Sequence, residues 1–502
     1  MSTEERSDKA VVPRVLAEDP QRPMAGWRWW GAIFFAALLG LVLFSGDRLK
    51  EPSQDTHFVY LANTYVSMLA APLSEEAAAR REGKVAFELD REPPHRNDWA
   101  SYREITLRDG EVLKGNWVER RGQGPFLLLG REGEVREVER GEVVRGEEEQ
   151  RYFVSFPPGP AWLMVPLAAI WGYGINDVWF TIFFGALNVV LIFILLERLA
   201  GGGVTGRTRE ENLWLTGLFG FGTVHLWSAI LGQVWFTALI VGITFTVAYL
   251  ICAIDARRPL LAGCFLAMAF ATRTPLVVTA IFFFAFVFFP GGRWIGRGGL
   301  GREKVEWALK KLVLFCLPCL AVGLGLLWMN HLRFEDWSEF GHTLLAEGRI
   351  GRIQEFGLFH LHFLEQNLKA AFLLLPRIQG EYPYVIVSRH GMSLFLSTPA
   401  FLYLLWPRRS ENSGEKFLHR LCWVTVTLVA VQHFLYQNTG YEQFGYRFSL
   451  DYTAYLIMLL ALGRRPLTWV FKACVVAGVI VNGFGAITFK RMAQFYSHQF
   501  FV

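Results

Sequence analysis

The sequence predicts an all-α polytopic membrane protein of about 11 transmembrane helices, carrying a small β-rich extracytoplasmic insertion. Three observations predict it. The 502 residues are 52% hydrophobic and 15% aromatic, with 18 Trp and 43 Phe, and only 19% are charged, against about 25% in soluble domains. Apolar runs of spanning length recur along the chain. The charge is also unevenly placed: 34 of the 95 charged side chains fall in residues 74–151. A mean hydropathy of only +0.27 therefore averages an apolar body with one polar excursion. A soluble enzyme is excluded.

Residues 1–28 read as a cytosolic tail. A polar, mixed-charge stretch precedes Trp27-Arg28-Trp29-Trp30, and no small-residue cleavage site follows the next apolar run, so that run is not a removable signal. Residues 29–502 read as the membrane domain. Its spans are 29–46, 176–198, 213–231, 234–254, 311–330, 391–407, 421–437, 447–463 and 468–489, each near the ~20 residues a membrane helix needs. The longer run 259–290 breaks at Thr272-Arg273-Thr274-Pro275, because the residue before proline avoids helical backbone. It reads as two short helices or a re-entrant pair. The run 160–172 is too short to span and is placed in the interface.

Basic loops set the orientation. Arg207 and Arg209, Arg257 and Arg258, the six cations of 291–311, Arg408 and Arg409 with Lys416 and Arg420, and Arg464 with Arg465 all fall on one side. Lys490-Arg491 is the one dissent. The N-terminus is then cytosolic, and the long segments 47–160 and 331–390 are extracytoplasmic. A net charge of +5 is too weak to call for nucleic acid. All six cysteines lie in apolar segments, and Cys316-Leu-Pro-Cys319 reads as packing rather than a metal or redox pair.

Residues 103–150 change period. Apolar positions alternate with charge, Asp109-Gly110 is a hairpin signal, and further glycines supply turns, so four or five short strands are expected. A small barrel is one arrangement, and a solvated ornament without chemistry is the plain reading of such alternation.

Candidate chemistry clusters outside the first span. Asp55, in Ser53-Gln54-Asp55-Thr56-His57, precedes an amphipathic helix through Leu69. It can be a general base for an acceptor hydroxyl, or with His57 hold a divalent cation, Mg or Mn. It can equally be a helix N-cap. Arg273 at the broken helix is an intramembrane charge, and such groups are expensive to bury and functional by default. Arg447 and Asp451 share a helical face at i,i+4, which suits a mutual ion pair. Either arginine can instead grip a lipid phosphate. The loop 331–390 mixes basic and aromatic residues, among them Arg333, Arg349 and Arg352. His360-Leu-His362 lacks the further ligands that a metal site needs.

Taken together, Asp55-Thr-His57-Phe-Val-Tyr60-Leu-Ala62, Asn97-Asp98-Trp99-Ala100-Ser-Tyr102, Tyr152–Trp162, Ala271–Pro275, Arg333–Gly341 and Phe444–Asp451 resemble the GT-C superfamily of integral membrane glycosyltransferases. Protein O-mannosyltransferases and lipid A aminoarabinose transferases are its better-known members, and a bacterial group of multi-pass proteins is more similar still. The resemblance runs along nearly the whole chain, with 103–150 as an insertion between the second and third motifs. It implies a GT-C-like fold in a cytoplasmic (inner) membrane. It also implies inverting transfer of a sugar from a polyprenyl-phosphate carrier to an acceptor hydroxyl on a glycan, lipid or protein.

Under that resemblance Asp55 is the base and His57 orients the acceptor or helps hold the cation. Arg273 or Arg447 steadies the leaving phosphate, and Tyr60 and Arg333 join the substrate-binding set. Many relatives carry two adjacent acids where this chain has Gln54-Asp55; Asp98 is a second carboxylate that nothing in the sequence brings near Asp55. Two rival classes remain: a transporter or flippase for a lipid-linked saccharide, for which internal repeats are expected and none is found, and a non-catalytic scaffold using the β-rich segment.

Overall fold

A computed structural model of the chain describes residues 12–17, 23, 25–95, 97–118, 126–130, 135–138, 142–342, 344–345, 353, 355–407 and 412–500. Arg349, Arg352, Arg408 and Arg409 lie outside the described residues. Two compact units emerge. One comprises Met1–Ser53, Asn176–Val322 and Phe359–Val502, the other Gln54–Ile175 and Gly323–Leu358.

The first unit is the membrane body. Among the described residues six helices are long and apolar enough to cross a membrane: Trp27–Leu49, Asp177–Gly201, Val234–Ala256, Arg302–Phe334, Ser413–Leu435 and Trp469–Thr488. They make this a multi-pass membrane protein. Arg302–Phe334, whose last turns belong to the second unit, shows the lipid-facing pattern best: Leu309, Val313, Leu317, Leu320 and Leu324 recur three or four residues apart, and all are more than half exposed. Such a stripe has no place in water but matches hydrocarbon.

The other expected spans are built from shorter pieces, so among the described residues six spans are single helices of crossing length. The run 213–231 splits into Arg209–Phe221 and His225–Ser228; Thr223, between glycine-flanked turns, spends its hydroxyl on the Phe219 carbonyl. The run 391–407 becomes Leu394–Ser397 and a 3₁₀ turn Pro399–Leu405, since Pro399 cannot donate into a continuing helix. The run 447–463 is the 13-residue helix Leu450–Leu462 after a 3₁₀ turn Arg447–Ser449. The 259–290 pair is as the proline predicts: Pro259–Phe270, a 3₁₀ turn Thr274–Thr279, then Ala280–Phe288.

Polar side chains lock the bundle where apolar packing gives little direction. Asn188 donates to the Ile240 carbonyl at 2.8 Å and accepts from Thr244 at 2.5 Å. Thr181 and Thr237 lie 2.6 Å apart. All four belong to Asp177–Gly201 and Val234–Ala253, which pack side by side. Helix ends are closed by arginine. Arg48 donates to the Ala486 and Phe489 carbonyls at 2.8 and 2.5 Å, and Arg491 donates to those of Phe44 and Ser45. Each thus caps the C-terminus of the other's helix, where cations are favoured. Lys490 pairs with Glu442 at 2.5 Å. The dissenting Lys490-Arg491 pair is therefore committed to local partners. In the N-terminal tail, the Val15 and Leu16 amides bind the Asp255 carboxylate at 2.7 and 3.0 Å.

In the second unit the helix His57–Ala70 packs against Gly159–Trp171. Five antiparallel strands follow the chain's alternation: β1 Trp99–Leu107, β2 Val112–Val118, β3 Phe126–Gly130, β4 Val135–Val138 and β5 Val143–Val154. Their order is β4-β3-β2-β1-β5, an open sheet rather than a small barrel. It extends past 103–150 at both ends, because Trp99 pairs with Val154 and Ala100 with Phe153.

Candidate functional site

Asp55 stands two residues before the first turn of His57–Ala70, and Thr56 occupies the N-cap position without a side-chain capping bond. The Asp55 carboxylate is buried at 5% exposure and turned to a partner 42 residues away: Asn97 Nδ2 donates to Oδ1 at 3.2 Å. His95 Nε2 lies 3.5 Å from the same oxygen. His95 is itself fixed, since its Nδ1 accepts the Asn97 amide N–H at 3.2 Å and its Nε2 donates to the Gln54 carbonyl at 2.7 Å. Gln54, standing where a second acid was expected, thus helps through its backbone. An amide and an imidazole set the orientation of the acid.

His57 closes the other side of the loop. It is fully buried, stacked on Trp99 with centroids 3.7 Å apart, and its Nε2 lies 3.1 Å from the Asn97 carbonyl. Burial pulls its pKa down to about 4, against the opposing charge of Asp98, so the ring is neutral at pH 7 and Nε2 carries the proton. Asp98 is buried and holds a left-handed φ of +56°, which Asp tolerates better than most residues. Asp98 therefore brings a second carboxylate to the histidine beside Asp55, a juxtaposition that the linear sequence hides. Tyr60 lies over Trp99 (5.3 Å) and Tyr173 (4.9 Å), edge to face. Arg91 sits 4.2 Å above the Tyr173 ring.

His95 and Asn97 were not singled out from sequence as partners of Asp55. Only the local density of polar groups in His95-Arg96-Asn97-Asp98 hinted at a built turn. Among the described residues no group of three or more His, Cys, Asp or Glu is placed to hold a metal ion. His57 is occupied by stacking and a carbonyl, so Asp55 and His57 do not fit a Mg or Mn site by themselves.

The remaining candidates have definite partners. Arg333, in the same unit, is buried, donating to the Val154 carbonyl at 2.8 Å and to Asn330 at 2.7 Å. That geometry is a strut on the end of β5. Arg273 and Arg447 belong to the membrane unit. Arg273 grips Asp451 in a fork, Nε to Oδ1 at 3.2 Å and Nη2 to Oδ2 at 2.6 Å, and His433 Nε2 is 2.9 Å from Oδ2. The acid expected to pair with Arg447 thus pairs with Arg273, because the 3₁₀ turn at 447–449 removes the i,i+4 alignment. Arg447 is buried, with Nη1 3.3 Å from the Glu442 carbonyl and its guanidinium 5.1 Å from the Phe236 centroid. His360 accepts the His362 amide as a turn cap, not as half of a metal pair.

No family model matches the chain, and no curated protein matches it in sequence. Among solved structures it is similar to the apo-form crystal structure of the Archaeoglobus fulgidus oligosaccharyltransferase, with a TM-score of 0.43 and 10% identity. The match covers 92% of this chain and 56% of that one, so the chain spans little more than half the length of the protein it matches.

Proposed function

We propose that the chain is a GT-C-type membrane glycosyltransferase. In this reading it moves a sugar from a polyprenyl-phosphate carrier to an acceptor hydroxyl of a glycan, lipid or protein, at the extracytoplasmic face of a cytoplasmic membrane. One observation carries the reading: a buried carboxylate, Asp55, oriented by Asn97 and flanked by His95. The multi-pass body supports it, since a membrane-embedded chain lies within reach of a donor anchored in lipid. Asp55 takes the acceptor proton as the acceptor oxygen bonds to the anomeric carbon; the carbon–oxygen bond to phosphate breaks with inversion, and polyprenyl phosphate leaves. His57 holds the loop that presents Asp55, and Tyr60 offers an aromatic face to the sugar. A guanidinium suits the leaving phosphate. The resemblance assigns that role to Arg273 or Arg447, and Arg273 already grips Asp451.

Membranes containing the protein, supplied with radiolabelled polyprenyl-phosphate sugars, test it. Wild type is expected to transfer label, and Asp55→Asn to lose about 100-fold or more, the scale of general-base catalysis. Equal transfer by both removes Asp55 as the base.

A further inference from the structure

Away from the candidate site, the membrane unit has a small surface cleft lined by Arg207, Tyr403, Pro407, His419, Arg465 and Leu467, among others. Its charge is one-sided. Arg207 is buried and fixed, bonded to the Leu460 and Ala461 carbonyls at 2.8 and 3.1 Å and to Glu211 at 3.0 Å. The other nearby acid, Glu415, is taken by Arg464 at 2.5 Å. Arg465 is exposed and makes no ion pair among the described residues; it donates to the Trp406 carbonyl at 3.0 Å and lies 5.3 Å from the Tyr403 ring. The walls hold His419, two arginines and no acid.

Beside the cleft the surface is apolar and aromatic. Trp406, next to Pro407, is 62% exposed, and Trp469, two residues past Leu467, is 79% exposed. Tryptophan in such positions marks the membrane–water boundary. Lys416 and Arg420 stand exposed nearby and add positive potential. A concave basic pocket at headgroup depth, between helix ends, has the chemistry of an anionic lipid site.

We propose that this cleft binds the phosphate headgroup of an anionic glycerophospholipid, Arg465 and His419 contacting the phosphate while the acyl chains lie along Trp406 and Trp469. Arg207 shapes the floor and is not free to move. The proposal does not depend on the glycosyltransferase reading.

Native mass spectrometry of the detergent-purified full chain, titrated with phosphatidylglycerol or phosphatidylcholine, reads it directly. Wild type is expected to retain one phosphatidylglycerol and to discriminate against phosphatidylcholine. Arg465→Ala is expected to weaken retention about fivefold, the scale of one cation at a lipid surface, while Lys472→Ala, which removes a surface cation paired with Glu210, leaves it unchanged. Equal retention of both lipids, or equal retention by Arg465→Ala and wild type, overturns the site. Displacement of phosphatidylglycerol by millimolar inorganic phosphate overturns the lipid as the occupant. A melting temperature of Arg465→Ala equal to wild type is required for a loss to count; if it falls, Arg465→Lys must restore retention or the proposal fails.

Discussion

Acid should destabilise this protein through His57, by an amount that can be worked from its surroundings. The ring is fully buried on Trp99, and its pKa is pulled from about 6.5 to about 4. Protonation therefore favours the unfolded chain. The contribution is intact above the unfolded pKa, is lost as pH falls below 6.5, and is gone once pH passes the folded value near 4. Linkage over that window gives about 2 kcal/mol lost at pH 5 and about 3 kcal/mol in full. In His57→Phe an aromatic ring stays on Trp99 while the titrating group is gone. The variant leaves the Asn97 carbonyl without a donor and should be less stable at pH 7.5 by about 1–3 kcal/mol, a deficit that narrows in acid because its acid sensitivity should be smaller. Differential scanning fluorimetry of both proteins in the same detergent at pH 7.5 and 5.0 measures this. Wild type should lose about 2 °C more than His57→Phe, at roughly 1 °C per kcal/mol for a chain of this length. Other buried histidines are common to both and cancel. An equal acid-induced drop in the two proteins refutes the argument.

Two further outcomes follow from the geometry. Asn97→Ala should reduce transfer about tenfold by freeing the Asp55 carboxylate from its amide donor, and Asn97→Asp should reduce it further by placing like charge against it; the labelled-donor assay reads both. Gly263→Ala should melt several degrees below wild type, because the added methyl overlaps the Phe315 carbonyl where two helices touch at a cost of about 1–3 kcal/mol; Gly325→Ala, which meets open space, should show no loss by the same fluorimetry.

Long periodic features were legible and tertiary turns were not. The spans 29–46, 176–198 and 468–489 were visible because an unbroken apolar run of that length has few other uses. Pro275 marked the break before Thr274–Thr279 because a missing donor is a local fact. The splitting of 213–231 was not visible: Gly220, Gly222 and Thr223 are ordinary residues for a membrane helix, and only their packing decides that the helix stops. Arg447 and Asp451 were aligned by assuming helix through 447–449; one 3₁₀ turn there gives Asp451 to Arg273, 178 residues away. Asp55 was marked by residue type and position. Its setting was hidden because Asn97 and His95 reach it across about 40 residues of chain, and no spacing rule reports that.

The chain just after Asn97 changes what the β-rich segment can be. Trp99, the ring under His57, is the first residue of β1 and is paired with Val154 of β5. The root of the sheet is thus part of the candidate site, and only its tip can be an ornament. The apolar packing divides at that point. Ala100, Tyr102 and Phe153 form one buried cluster with Phe334 and Leu344, whereas Ile105, Leu107 and Val138 form another with Leu113 against it. Among the described residues the first cluster draws on none of β2, β3 or β4. Removing 112–138 and joining the ends through a short glycine linker should therefore leave Trp99 in place, at the cost of the second cluster. Removing all of 103–150 would take most of β1 and β5 with it and would confuse structural damage with lost function. If the chain is a transferase with Asp55 as its base, the shorter deletion should keep full transfer in the labelled-donor assay while Asp55→Asn does not. Loss of transfer by a deletion variant that keeps the acid sensitivity expected of an intact His57–Trp99 stack would assign the tip of the sheet to the acceptor, and the division between root and tip would fall.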